Sequence, residues 1–181
     1  HTRCREVSWA RNVYKRQELN PNLIISKENN FFDLGLDALE ELAEDAVFLC
    51  GNEEIETANE NVEKFLISGK YPSGNSSAHI YKICPIRKSK KTWTISWQDV
   101  IRIGKYISTK SYCFDKYVSV TGSACVEPKL LKTVSGASLT ELTAGNTNKE
   151  SRLISGSALY GTSGDSYTSY LTRYSDQVTI I

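Results

Sequence analysis

KYVSVTGSACVEPKLLKTVSGASLTELTAG, residues Lys116–Gly145, alternates, turns, alternates again and then changes period. In Tyr117–Thr121, Val118 and Val120 fall on one side and Tyr117, Ser119 and Thr121 on the other, the period of two of a half-buried strand. Gly122 breaks the run as a turn or bulge glycine does. After Pro128, Lys129–Val134 alternates again, with Leu130 and Val134 flanking Lys132. Ser138-Leu-Thr-Glu141 has the form of a capping box, in which the serine oxygen takes a free amide of the first turn and the glutamate reaches back. Leu139 and Leu142 then share one face of a short helix, which Gly145 closes in a left-handed conformation. Two strands, a tight turn and a capped helix make a unit that needs more sheet to be stable. No catalytic constellation is recognisable in it.

The whole chain has 181 residues, 40% hydrophobic and 24% charged, which suits one soluble globular domain or two small ones. No apolar run approaches the ~18 residues of a membrane span, and the first residues do not form a signal segment. Cys4, Cys50, Cys84, Cys113 and Cys125 are odd in number and scattered. None of their spacings is that of a zinc or iron–sulfur site, so no metal is expected and reduced core thiols are the simplest reading. The net charge of +1 hides an asymmetry: Glu28–Glu63 holds twelve Asp and Glu and no Lys or Arg. Basic residues flank that block, Arg3 to Arg16 before it and Lys82 to Lys91 after it. Such blocks steer partners or are simply solvated faces. They carry no nucleic-acid reader motif, and no nucleic-acid partner is expected. A chain that starts at His1, lacks methionine and ends on a strand reads as a piece of a longer polypeptide.

Upstream of the quoted stretch the pattern is that of alternating strands and helices. Residues 1–20 read as one strand or an irregular lead-in, Asn20-Pro21-Asn22 as a turn and Leu23–Ile25 as a brief apolar run. Phe31, Leu34, Ala38, Leu39, Leu42, Ala43 and Ala46 recur at helical spacing and predict an amphipathic helix over 30–46 with its acidic face in water. Glu44 and Asp45 would then oppose the dipole at its C-terminal end. Val47–Cys50 predicts a buried parallel strand and Val62–Ile67 another. The basic run Pro85–Lys91 marks a boundary between halves. Thr92–Ile95 predicts a strand, and Ser96-Trp-Gln-Asp99 a second capping box opening a helix whose face is Trp97, Val100, Ile101, Gly104 and Ile107. Trp93 and Trp97 together suggest core anchors between the halves. Further on, Arg152–Ile154 reads as a strand, Ser155–Ser169 as loop and Val178–Ile181 as a last strand.

The candidate binding residues lie in Ser68-Gly-Lys-Tyr-Pro-Ser-Gly74 and the helix predicted over 76–83. Gly69, Pro72 and Gly74 form a glycine-rich turn after a strand and before a helix, where exposed amides can receive an anion. The spacing is neither GxxxxGK[ST] nor GxGxxG, and a plain connecting turn explains it equally. His79, one of two histidines, reads as a packed or capping residue or as a proton-linked ligand group. No catalytic residue stands out.

Thr92-Trp-Thr-Ile-Ser-Trp-Gln-Asp-Val-Ile-Arg-Ile-Gly-Lys-Tyr106 resembles the A subunit of the sodium-translocating NADH:quinone oxidoreductase. So do Asn20-Pro21, Gly35-Leu-Asp-Ala-Leu39, Tyr71-Pro72-Ser-Gly74 with His79, Val118–Gly122, Gly136–Leu139, Leu153–Leu159 and Tyr170-Leu-Thr-Arg-Tyr174, all in the family's order. Residues 1–19 depart from it, as does Gly69-Lys-Tyr-Pro72, where many relatives carry Gly-Pro-His-Pro. The resemblance implies α/β plus α+β architecture. A partial Rossmann-like α/β segment would span 1–91, and a linking helix with a β-grasp (soluble-ligand-binding, ubiquitin-like) module would span 92–181.

By the same resemblance the chain is the middle of a non-catalytic, structural and quinone-associated subunit of a redox-driven sodium pump passing electrons from NADH to quinone. It implies a peripheral position on the cytoplasmic face of the bacterial inner membrane. Its partners would be the pump's membrane subunits, the B subunit above all, and quinone. It implies no cofactor on this portion, with flavins and NADH on other subunits. Two alternatives stand beside it. One is a flavin- and NADH-binding electron-input subunit of complex I type, motivated by the Gly69–Gly74 turn. The other is a free-standing β-grasp module for a small ligand, which accounts for 116–145 but not for the α/β segment.

Overall fold

A computed structural model describes residues 3–8 by their backbone, and 20–43, 46–69, 72–86, 91–147, 151–163 and 169–181 with side chains. The chain is a mixed α/β protein in two compact units that divide between Cys113 and Phe114. The division expected between 91 and 92 does not separate the sheets, because the strand at that point belongs to the first of them.

That first sheet is parallel throughout. Its strands are β1 (Arg3–Ser8), β2 (Val47–Gly51), β3 (Glu63–Leu66) and β4 (Lys91–Ile95), in the spatial order β3-β2-β1-β4. β1 is therefore central, with Val7 beside Leu49 on one side and Ile95 on the other. Its sequence, RCREVS, gives no apolar run by which to recognise a central strand. Between β1 and β2 come α1 (Pro21–Ile25) and α2 (Asn29–Leu42); α3 (Ser76–Ile83) joins β3 to β4, and α4 (Trp97–Thr109) follows β4. The Asn20-Pro21 pair expected as a turn starts α1 instead: the Asn20 side chain accepts from the Asn22 amide at 3.0 Å and the proline occupies the first turn.

β2 is buried at every position, as a strand covered on both faces must be. Phe48 and Cys50 pack with Phe65 and with Ile83 and Cys84 from the end of α3; Phe48 and Phe65 meet edge to face at 5.7 Å. Val47 and Leu49 point to the opposite face by alternation and are equally buried. α2 and α4 pack on each other. The buried side of α2 is Phe32, Gly35, Leu36 and Leu39, the i, i+3, i+4, i+7 set. Of the expected face Leu39 is buried, but the buried side is rotated from the rest of it, leaving Leu34 38% and Leu42 60% exposed. The reason is Gly35, which carries no hydrophobic signal yet sits at the close crossing with α4. The helix ends at Leu42, with Ala43 extended; Glu44 and Asp45 lie outside the described residues. On α4, Trp97, Val100, Ile101 and Gly104 are buried as expected. Trp93 is 57% exposed on β4 and anchors no core.

The second unit has five strands: β5 (Asp115–Thr121), β6 (Lys129–Val134), β7 (Leu153–Ser155), β8 (Thr162–Ser163) and β9 (Gln177–Ile180), with α5 (Leu139–Leu142) after β6. The order is β6-β5-β9-β7-β8. β5 and β6 form the antiparallel hairpin that the alternation predicts, and β5 pairs in parallel with β9. Val118, Val120, Val178, Ile180, Leu139 and Leu171 are its core, with Leu131, Leu142 and Leu153 against them. The register sets Leu131 opposite Val118, so Leu131 turns inward and Leu130 and Val134, the apolar pair that stands out in sequence, remain 46% and 45% exposed. β8 lies inside the stretch expected as loop. On the other face, Gly156–Gly161 folds over Ile154 and Thr179: the Thr179 hydroxyl donates to the Gly156 carbonyl at 2.7 Å, and a Cβ on Gly161 would stand 2.3 Å from Ile154. Buried Asn146 closes the turn after β5, accepting from the Glu127 amide at 2.8 Å and donating to its carbonyl at 2.7 Å.

The two capping boxes part company. Ser96 Oγ accepts from the Asp99 amide at 3.2 Å and donates to its carboxylate at 2.9 Å. Ser138 makes no side-chain cap; its stretch is held through the backbone instead, the Leu139 amide donating to the Ser169 carbonyl at 2.9 Å and Ser138 bridging to Tyr170. Ser96→Ala is therefore expected to cost about 1 kcal/mol, and Ser138→Ala no more than a few tenths. Urea titration followed by hydrogen exchange in α4 and α5 measures both; equal losses would contradict the difference.

Candidate functional site

Ligands of open α/β sheets bind outside the carboxyl ends of the strands. At that edge of the first sheet lie the loop after β2, the turn after β3 and Ser96 after β4; the segment following β1 falls outside the described residues.

The loop after β2 lies on the acidic face of α2. The Thr57 hydroxyl donates to Asp33 at 2.6 Å, Asn59 Nδ2 to Asp37 at 2.7 Å and Glu40 at 3.0 Å, and Asn61 Nδ2 to Glu40 at 2.7 Å. Asn59 is 8% exposed and Ile55 and Val62 are buried beneath the same loop. The face expected in water is thus partly covered, while Asp37 and Glu41 remain exposed, and the donors that the loop supplies are neutral, two amides and a hydroxyl. The alternate spacing of Thr57, Asn59 and Asn61 was the available signal for this ladder.

The turn after β3 carries the candidate residues. Gly69 has φ +137° and is exposed, as is Pro72, while Gly74 and His79 are buried. The Asn75 amide donates to the Pro72 carbonyl at 2.9 Å, and α3 begins with the His79 amide on the Asn75 carbonyl at 3.2 Å. The His79 ring, with no exposed surface, reaches back to the Ser73 carbonyl at 2.8 Å. A carbonyl only accepts, so Nε2 carries the proton there. His79 is fastened to the turn's own backbone; Gly69 and Pro72 remain at the surface. What this turn can offer a ligand is backbone held in place by a histidine. His79→Leu leaves the Ser73 carbonyl without that donor and is expected to cost about 2 kcal/mol, whereas His79→Gln, which keeps an N–H, loses less. Urea titration compares the two, and equal losses would assign His79 to packing alone.

The end of β4 is occupied by its own side chains. Asp99 accepts from Ser96 and from Arg102, so the positive end of α4 already faces a carboxylate. Lys105 pairs with Glu28 at 2.7 Å and lies 5.6 Å from the Phe31 ring centroid, tying α4 to the start of α2. Among the described residues no group of three or more His, Cys, Asp or Glu is placed to hold a metal ion, and Cys113 and Cys125 are free thiols.

Residues 16–112, more than half of the chain, match the family model described as NqrA second alpha/beta domain, and residues 117–165 match the one described as NQRA C-terminal domain. The chain is 39% identical over 166 residues to the A subunit of the Na(+)-translocating NADH-quinone reductase of Saccharophagus degradans, and 37% identical over 164 residues to that of Vibrio campbellii. It spans 37% of the length of each of these relatives, which align with 90% and 89% of it. Among solved structures it is similar to a chain of an NAD+-reducing [NiFe]-hydrogenase in the H2-reduced state. That match has a TM-score of 0.68 and 12% identity, over 99% of this chain and 40% of the other; at such identity the likeness concerns the fold alone.

Proposed function

Because the chain belongs to the family of the A subunit of the Na(+)-translocating NADH-quinone reductase, we propose that it is the central portion of such a protein. In that reading it serves, without catalysing a reaction itself, in a redox-driven sodium pump that passes electrons from NADH to quinone. The observation that carries this is the ordered match of both family models, one on each side of the division at Cys113. The parallel sheet in the order β3-β2-β1-β4 is read as a partial Rossmann-like layer. The second sheet, whose strands run 2-1-5-3-4 when numbered within the unit, is read as a β-grasp module.

The role of the protein in this reading is structural and quinone-associated. It docks from the cytoplasmic face on the membrane subunits, the B subunit first among them, while flavins and NADH belong to other subunits. No helix of the described residues is long and apolar enough to cross a membrane, which suits a peripheral position. The side-chain chemistry at the carboxyl edge also supports a part that positions rather than reacts: His79 is committed to Ser73 and the α4 terminus to Asp99.

Affinity purification of the tagged full-length protein from its native membranes tests the proposal. The membrane subunits are expected in the eluate; a protein recovered alone, while those subunits remain in the membrane fraction, would sink it. Flavin absorbance in the isolated full-length protein would favour the electron-input reading instead.

A further inference from the structure

β5 carries a lysine where its alternation calls for a hydrophobic residue. Lys116 shares the inward side with Val118 and Val120 and is 1% exposed. An ammonium taken out of water needs oxygen atoms in place of its hydration shell. Among the described residues one short segment supplies three: Lys116 Nζ donates to the Thr172 carbonyl at 3.3 Å and to the Arg173 carbonyl, and stands 3.4 Å from the Asp176 carboxylate.

That segment is anchored at both ends by other means. Leu171 is buried in the core and exchanges backbone hydrogen bonds with the strand–helix connection, Gly136 amide to Leu171 carbonyl at 2.8 Å and Leu171 amide to Ala137 carbonyl at 2.9 Å. The Ser119 amide donates to the Asp176 carbonyl at 3.1 Å, and β9 begins at Gln177. Between the anchors the chain turns, with the Ser175 amide on the Thr172 carbonyl at 3.3 Å and the two hydroxyls 2.6 Å apart. Two consecutive carbonyls, Thr172 and Arg173, aim inward, while the side chain of Tyr174 is 79% exposed. Consecutive inward carbonyls repel one another and are costly to bury without donors; the Ser175 amide serves Thr172 alone, whereas the Lys116 ammonium reaches both.

We propose that Lys116 is a built-in cation that locks the strap Leu171–Asp176 against the sheet, holding Tyr174 out on the surface. The lock is carbonyl capture; the ion pair with Asp176, a half-exposed carboxylate, adds little through solvent screening. Lys116→Met keeps the aliphatic stem and removes the donors, so the strap opens around Arg173 and Tyr174 while Leu171, the Thr172 amide on the Ser155 hydroxyl at 3.0 Å, the Asp176 anchor and the sheet persist.

Chymotryptic cleavage after Tyr174 in the folded full-length protein, together with hydrogen exchange, reads this out. Lys116→Met is expected to speed cleavage on the order of tenfold or more, with the amides of Val118, Val120 and Val178 still protected. Unchanged cleavage overturns the proposal, and so does loss of protection throughout the sheet, which would make Lys116 a general core requirement. Asp176→Asn is expected to leave cleavage within about twofold of the parent. If it releases the strap as fully as Lys116→Met does, the ion pair is the lock and carbonyl capture is wrong.

Discussion

Gly104→Ala is expected to destabilise the first unit by on the order of 3 kcal/mol or more, a large effect for one methyl group. An ideal Cβ at Gly104 would stand 1.8 Å from the Phe31 carbonyl oxygen and 2.7 Å from its carbon. Those atoms are helix backbone and cannot rotate away as a side chain would. The facing position is equally tight, since a Cβ on Gly35 would stand 2.2 Å from the Val100 carbonyl oxygen. Relief therefore requires α2 and α4 to move apart, which opens the packing around Phe32, Leu36, Val100 and Ile101, all at most 4% exposed. Helix propensity pulls the other way, favouring alanine by about 1 kcal/mol, and the clash outweighs it. Exposed Ser108 on the same helix supplies the control: Ser108→Ala should be neutral or slightly stabilising. Urea titration with hydrogen exchange in α2 and α4 measures the pair. A Gly104→Ala protein as stable as its parent would show that the two helices do not cross this closely.

The second unit has a comparable point at Gly122. Its φ of +134° is one that L side chains rarely adopt, and an ideal Cβ would stand 2.0 Å from the Ile180 carbonyl oxygen and 2.6 Å from its nitrogen. Here β5 ends, and the Ala124 amide donates to that same Ile180 carbonyl at 3.1 Å. Gly122→Ala combines backbone strain with collision against β9 and is expected to cost about 3 kcal/mol or more. Gly136 separates the two contributions. It also has positive φ, +85°, but nothing lies within 4 Å of its missing Cβ, so Gly136→Ala should cost only about 1 kcal/mol of strain. Exchange of the Val178 and Thr179 amides is the readout; equal effects at the two glycines would remove the steric part of the argument.

Both glycines mark what is and is not legible in sequence. Period-two alternation identifies β5 and β6 because their apolar side chains fall on one side, although the polar Ser119 and Thr121 on the other side of β5 are buried too, and the apolar run Val47–Cys50 identifies β2 because its burial is two-sided. Helix α3 has the bounds its sequence predicts, Ser76–Ile83. The face of α2 is misread because a glycine at a close crossing contributes to packing by its absence of side chain. β1 escapes because Arg3, Arg5 and Glu6 hide a central strand whose identity comes from pairing on both sides. Ser138 fits a cap motif yet makes no side-chain cap, and its stretch is tied by backbone to Ser169 and Tyr170, contacts from some thirty residues away that local spacing cannot reveal. At the candidate site, the turn and His79 are visible as residue types, but the bond that commits His79 to Ser73 depends on how α3 leaves the turn.

The parallel pairing of β5 with β9 also sets an order of events during synthesis. Ser119, Val120 and Thr121 pair with Gln177, Val178 and Thr179, so the centre of the second sheet joins the earliest and latest strands of the unit. The β5–β6 hairpin and α5 are local and can form as they emerge, but until β9 arrives Val118 and Val120 lack their neighbours Val178 and Ile180. A nascent chain at that stage exposes an apolar strand edge, the kind of intermediate that chaperones protect.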